Sequence, residues 1–246
     1  MTKLSYLPLF LIFTILSSCS QSKIKIDDLE NKLESYFEDG SLIVDSDGNP
    51  IHGIVFQEYT DGGIYLQATI KNGIPDGQYK WFLENGQLGE IRYFKSGELH
   101  GLYKWYFRNG QLRKQGHFTN GKRDGLFTHF HENGQLSRRI TYNNGTRDGL
   151  FELYHENGQL GEKGNFKNGE RDGLFEDYFE NGQLKRQITY KNGEMHGLFK
   201  WYYENGQLGE RGKFENGKRY GAFEHYDETG RLLRLGTYTS INLSND

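Results

Sequence analysis

Glu156-Asn157-Gly158-Gln159-Leu160 is one copy of a phrase that returns unchanged at Glu84–Leu88, Glu132–Leu136, Glu180–Leu184 and Glu204–Leu208. Variants stand at Arg108–Leu112, where Arg replaces Glu, and at Glu228–Leu232, which reads Glu-Thr-Gly-Arg-Leu. Each copy starts 24 residues after the last. A fixed period in this range is the mark of stacked units, each burying its apolar side only against its neighbours.

Working outward from the phrase, one unit runs Gly149-Leu-Phe-Glu-Leu-Tyr-His-Glu-Asn-Gly, then Gln-Leu-Gly-Glu-Lys-Gly-Asn-Phe-Lys-Asn-Gly-Glu-Arg-Asp172. Its two Asn-Gly pairs, Asn157-Gly158 and Asn168-Gly169, are two-residue hairpin signals, because both residues tolerate positive φ. The runs between them have strand length. The reading is therefore all-β: an elongated, single-layer antiparallel meander of tandem 24-residue β-hairpins. At two strands per unit, eight units would extend on the order of 75 Å. Residues 53–246 form the array, with unit starts at Gly53, Gly77, Gly101, Gly125, Gly149, Gly173, Gly197 and Gly221.

Within a unit, Leu160, Gly164 and Phe166 alternate with polar neighbours, as a half-buried strand does. The preceding strand is less regular: Leu150 and Tyr154 share one parity and Phe151 and Leu153 the other, which calls for a bulge or strong curvature. A period of 48 also shows. Units carrying Trp105, Leu153 and Trp201 have Gly116, Gly164 and Gly212, whereas those with His129 and Asp177 have Ile140 and Ile188. Large-beside-small packing and duplication of a two-unit block explain this equally well.

The N-terminal segment reads differently. Leu4–Leu16 is an apolar run behind Lys3, too short to span a bilayer comfortably but suited to a signal peptide. Leu16-Ser17-Ser18-Cys19 then resembles a bacterial lipobox, which implies cleavage after residue 18, lipidation of Cys19 and a cell-envelope address, the outer membrane favoured by Ser20. Residues 19–52 are expected to be a tether and degenerate cap. Ile26, Leu29, Leu33 and Phe37 have helical spacing, yet Tyr36–Leu42 echoes the repeated phrase, and a worn repeat unit is the favoured reading.

Composition narrows the chemistry. The chain holds 33 Gly and 15% aromatic residues, and its net charge is −3 with both signs interleaved, giving nucleic acid little footing. The six glutamates beginning the phrases sit at one repeat position, where an active site needs one asymmetric constellation. No phosphate loop or nucleophile–base pair is present. Neither a catalytic activity nor a cofactor is expected. His131 and His155 share a column of adjacent units, about 10 Å apart by strand spacing, which does not make a metal site.

Aromatic residues carry more weight. Phe82, Tyr106, Phe130, Tyr154, Tyr178, Tyr202 and Tyr226 form one column, and Tyr79, Tyr103, Phe127, Phe151, Phe175, Phe199 and Phe223 another. Both read as the core of a thin sheet; an exposed column would instead offer a groove to a peptide or glycan. The column 81/105/129/153/177/201/225 varies between copies. Trp81, Trp105, Leu153 and Trp201 within it are the candidate partner-binding residues.

Taken together, Tyr-x-Glu-Asn-Gly-Gln-Leu, Lys167-Asn168-Gly169 and Asp172-Gly173-Leu174-Phe175 resemble the MORN repeat in its bacterial variant form, over roughly residues 53–240. Proteins of that type include the set labelled YwqK-like antitoxins. The resemblance implies a single-layer hairpin sheet and a scaffold for protein–protein interaction, with a toxin among the partners it suggests. A weaker likeness to choline-binding cell-wall repeats rests on Gly101-Leu102-Tyr103-Lys104-Trp105-Tyr106 and suggests a glycan ligand instead.

Overall fold

The computed structural model describes residues 23–238. Cys19 and the signal segment lie outside the described residues. From Gly53 onward the chain forms one open sheet in which each strand pairs antiparallel with the next in sequence. The expected meander is therefore present, and its interior units repeat one plan.

The plan has two kinds of turn. Asn168 (φ 51°) and Gly169 (φ 91°) are both left-handed, a two-residue hairpin of the expected kind. The repeated phrase behaves otherwise. His155 N–H donates to the Gln159 carbonyl and Gly158 N–H to the His155 carbonyl, while only Gly158 has positive φ. This is a three-residue loop ending in a left-handed glycine. Asn157 instead uses its side chain: Oδ1 accepts from Gln159 N–H at 2.9 Å, and Nδ2 donates to the Glu180 carbonyl of the next unit at 2.7 Å.

That second bond recurs from Asn109, Asn133, Asn181 and Asn205 to the carbonyls of Glu132, Glu156, Glu204 and Glu228. On the opposite edge, Gly145, Gly169 and Gly193 N–H groups donate to the carbonyls of Arg123, Arg147 and Arg171. Both edges of the ribbon are thus stapled unit to unit. Neighbouring strands satisfy the ladder bonds, and these staples satisfy the turns.

The irregular strand carries the expected bulge. Register shifts between Leu153 and Tyr154, so Leu153 opposes Glu162 while Tyr154 opposes Leu160. A second shift, between Lys163 and Asn165, lies against Gly173, whose φ is 83°. Bulge and glycine bend recur at equivalent places, and they let one sheet curve.

Curvature alone does not bury a core in one layer. The Phe127, Phe151, Phe175, Phe199 and Phe223 column is nonetheless buried, Phe127 completely. Rings pack edge to face in chains, Tyr103–Phe118–Phe127–Tyr142 and Phe151–Phe166–Phe175–Tyr190, with centroids 5.2–5.7 Å apart. Arginines roof them. Arg171 lies 4.5 Å above Phe175 and 5.2 Å from Tyr190, and Arg123 sits over Phe127 and Tyr142 in the same way. The guanidinium itself lies over the ring face, attracted by its negative quadrupole. The sheet's other face is largely polar; it carries the exposed Leu102, Leu126, Leu150, Leu174, Leu198 and Leu235, and near its N-terminal end Ile91 and Tyr93.

The 48-residue alternation has a packing basis, with a partner the sequence did not suggest. A Cβ on Gly116 or Gly164 would lie 2.4 or 2.5 Å from the ring of Phe127 or Phe175. At these two glycines the residue that needs the space is the buried Phe of the next unit, not Trp105 or Leu153; at Gly212 it is Phe199 of the same unit, 2.6 Å away.

The N-terminal cap corrects two expectations. Lys23–Lys25, read as tether, is a strand paired parallel with Gly53–Glu58. Leu29–Asp39, read as a worn repeat, is an α-helix ended by left-handed Gly40. Its helical apolar spacing prevailed over the local echo of the phrase. Leu29 and Leu33 pack with Ile43, Val55, Leu66 and Ile70, the only place among the described residues where a second layer covers the sheet.

Candidate functional site

Cross-strand register turns the variable column into something larger. Trp81 opposes Glu90, Glu90 opposes Trp105, Trp105 opposes Lys114, and Lys114 opposes His129. The line continues through Arg138, Leu153, Glu162, Asp177, Arg186, Trp201, Glu210, His225 and Arg234. Directly opposed residues in a sheet share a face. Fifteen positions, counting Leu66 opposite Trp81, thus form one row across the array, on the face that carries the phenylalanine core. The even-numbered half of this row was not visible as a column. Only the hairpin register, read from the turns, interleaves it with the other half.

The four candidate residues take their places in this row. Trp81, Trp105 and Trp201 are half-buried rather than exposed, and Leu153 is 38% exposed. Trp81 and Trp201 lie against Gly89 and Gly209: a Cβ there would fall 2.2–2.3 Å from the indole. Where the equivalent residue is Arg113, its guanidinium stacks 4.1 Å over Trp105 instead. One way or the other, each indole is held flat and pre-ordered. Trp81 and Trp105 come together and line two clefts. One, of about 670 Å³, also takes in Tyr59, Leu83, Phe107, Arg108 and Arg113. The other, of about 430 Å³, is bounded by Glu30, Tyr65, Tyr79, Glu90, Arg92 and Tyr103. Trp201 and Leu153 lie many strands further along, in no shared pocket with them.

The second cleft is a charged aromatic notch. Burial and the neighbouring Glu90 carboxylate push the Tyr103 phenol up to about 12. Burial, then the 2.6 Å bond to Glu30, raise Tyr65 as well. Both phenols stay protonated and able to donate. Arg92 bridges to Glu90 at 2.7 Å and lies 4.3 Å from the Tyr79 ring. Two acids, one arginine and several ring faces can hold a ligand with both polar and flat apolar parts.

Electrostatics vary along the row. Arg171 pairs with Glu162 and Arg219 with Glu210, both at 2.6 Å, and Arg186 pairs with Asp177. Around His129 no such pairs form. Burial first, then Arg138, Lys114, Arg123 and Arg113, hold the His129 imidazole down to about 4, so it is neutral at ordinary pH.

The histidine column has a mechanical explanation. His131 Nε2 bonds the Tyr154 carbonyl at 3.0 Å and His155 Nε2 the Tyr178 carbonyl at 3.1 Å, a link that Tyr59 and Tyr203 make through their hydroxyls in other units. Among the described residues, no three His, Cys, Asp or Glu side chains gather as a metal site would require.

The two aromatic columns also part company. The Phe127 column is core, while the tyrosines at 154, 178 and 226 are half-buried and bond the glutamates two residues before them.

Comparison with known proteins follows this geometry closely. The family model described as MORN repeat variant matches six successive segments, 75–97, 99–120, 123–144, 147–168, 171–192 and 195–216. Each runs from one two-residue hairpin to the next. A comparison with curated proteins finds no match. Among solved structures, the crystal structure of a mutant S. aureus TarM in complex with Fondaparinux, alpha-GlcNAc-glycerol and UDP is similar over 39% of this chain and 19% of that one. Identity there is 14% and the TM-score 0.27, too partial a likeness to bear on fold or function.

Proposed function

The chain belongs to the MORN repeat variant family, and on that premise we propose that it is a binding scaffold whose row of variable residues recognises a protein partner at the bacterial cell envelope. One observation supports this above the rest. Core, turns and staples recur from unit to unit, while the row from Trp81 to Arg234 changes identity at nearly every step. A rigid lattice that varies along one line is how repeat proteins separate stability from recognition. Pre-ordered indoles at Trp81 and Trp105 fit the aromatic anchors of such surfaces.

Site-specific photocross-linking in the native host tests this reading. Cross-linker at Trp105 or Trp201 should give a discrete adduct, and cross-linker at Lys213 on the opposite face should not. Adducts from both faces alike, or from neither, would end the proposal.

The envelope address rests on the lipobox-like Leu16-Ser17-Ser18-Cys19. Lipidated Cys19 would anchor the array stably, since more than one acyl chain is attached. Cys19→Ala should move the protein from the membrane to the soluble fraction; a wild-type protein already soluble would sink the anchor. A toxin encountered outside the cytoplasm is one partner consistent with this placement.

A glycan is the second reading, favoured by the ring-lined clefts around Trp81 and Trp105. It requires co-sedimentation with purified peptidoglycan that Trp105→Ala abolishes. Binding that survives this change would remove it.

A further inference from the structure

The row contains a place where cations accumulate without the carboxylates that pair with them elsewhere. At Glu162 and Glu210 a carboxylate receives the arginine nine residues later, Arg171 or Arg219. In the unit before Glu162 the same two positions are Arg138 and Arg147, and in the one before that Lys114 and Arg123. Cations also stand at Arg186, which is paired with Asp177, and at Arg234, but only at 114 and 138 do two follow in succession.

The surroundings do not repair the imbalance. Among the described residues, Arg113, Lys114, Arg123, Arg138 and Arg147 form no ion pair; the nearest acid facing Lys114, Glu90, is already bonded to Arg92. Lys114 Nζ and the Arg123 guanidinium both lean over the Phe127 ring, 5.9 and 5.5 Å from its centroid. Arg138 Nε is buried without a hydrogen-bond partner. His129 lies between Lys114 and Arg138 in register, with both as direct neighbours. Such a concentration of like charge is costly unless an anion completes it.

We propose that Lys114, Arg123, His129 and Arg138 form a carboxylate-binding site that receives an acidic segment of the protein partner. The array itself indicates the ligand chemistry, because a Glu carboxylate fills the corresponding space at positions 162 and 210. The two successive cationic positions, 114 and 138, lie two strands apart, so carboxylates about 10 Å apart would engage both. Held neutral by burial and then by its cationic neighbours, His129 would take up a proton more readily once an anion offsets those charges. This proposal rests on the scaffold reading and specifies its partner.

Lys114→Glu restores the carboxylate found 48 residues later and should fold as the wild type does, as thermal unfolding will check. Purified protein at low salt is titrated with penta-glutamate, penta-glutamine, inorganic phosphate and vesicles containing phosphatidylglycerol, with the His129 ring followed by NMR. Penta-glutamate should bind and raise the His129 midpoint, and penta-glutamine should do neither. Lys114→Glu should weaken penta-glutamate at least about tenfold, and Arg138→Gln should weaken it in the same direction. Failure of penta-glutamate to bind, or equal binding to both variants, overturns the proposal. So does tighter binding of phosphate, or vesicle binding that Lys114→Glu abolishes, since either assigns the site to another anion. Cross-linked adducts that persist unchanged in Lys114→Glu would overturn this site while leaving the scaffold standing. Absence of adducts along the whole row would remove the scaffold, with the peptide titration still reporting on the site.

Discussion

Two residues that look alike in the sequence do different work. Asn168 is there for its backbone, at φ 51°, and Asn157 for its side chain, which spans to the next unit. Asn168→Gly should therefore change stability little, because glycine accepts left-handed φ freely. Asn157→Gly should cost about 0.5–1.5 kcal/mol through the lost inter-unit bond; chemical denaturation of the two variants makes the comparison. Gly164→Ile sets its Cβ against the Phe175 ring and should destabilise by about 1–3 kcal/mol, as overpacking does. His129 adds a pH term. Its folded value, about 4, lies below the unfolded one, so between the two the unfolded chain binds more protons and stability falls as pH drops. The loss should be on the order of 1–2 kcal/mol between neutral pH and pH 4, after allowing for solvent screening of a half-exposed ring. Unfolding curves of His129→Gln should lack that part of the slope.

At the scale of the element, the hairpin was legible and its interior less so. Asn-Gly pairs and alternation in Leu160–Phe166 were enough to place the strands, because turn chemistry and a period of two are local properties. The three-residue loop was not legible, because Glu-Asn-Gly and Lys-Asn-Gly differ in flanking register rather than in the dipeptide. The helix Leu29–Asp39 lost to a resemblance of seven residues, although its own apolar spacing was the sounder signal. For the site, the column from Trp81 to His225 could be read directly. Glu90, Lys114 and Arg138 could not, since their membership depends on which residue faces which across a bulged pair. Nor could the burial of the Phe127 column, which depends on arginine guanidinium groups lying over its rings.

For the whole molecule, the packing repeat through the central units is 48 residues rather than 24, because Phe127 and Phe175 each lean onto a glycine of the preceding unit, whereas Gly212 and Gly236 lie against Phe199 and Phe223 of their own units. Excising residues 149–172 would bring Phe175 against Ile140, where it lacks that space. Excising 149–196 would bring in Phe199, whose natural neighbour across the preceding hairpin is already Ile188. The longer deletion should therefore be the milder one, retaining a single cooperative melt, while the shorter lowers the midpoint by about 5 °C or more. Scanning calorimetry of the two deletions decides between this and a simple length dependence.

The helix-backed N-terminal end has a consequence for how the chain acquires its shape. Among the described residues it is the one region with two packed layers, and it precedes the array in the chain. Each later strand needs only the one just before it, so no contact waits for a distant part of the chain. Folding can start at the cap and zip outward hairpin by hairpin, keeping pace with synthesis, with one unfinished edge exposed at a time.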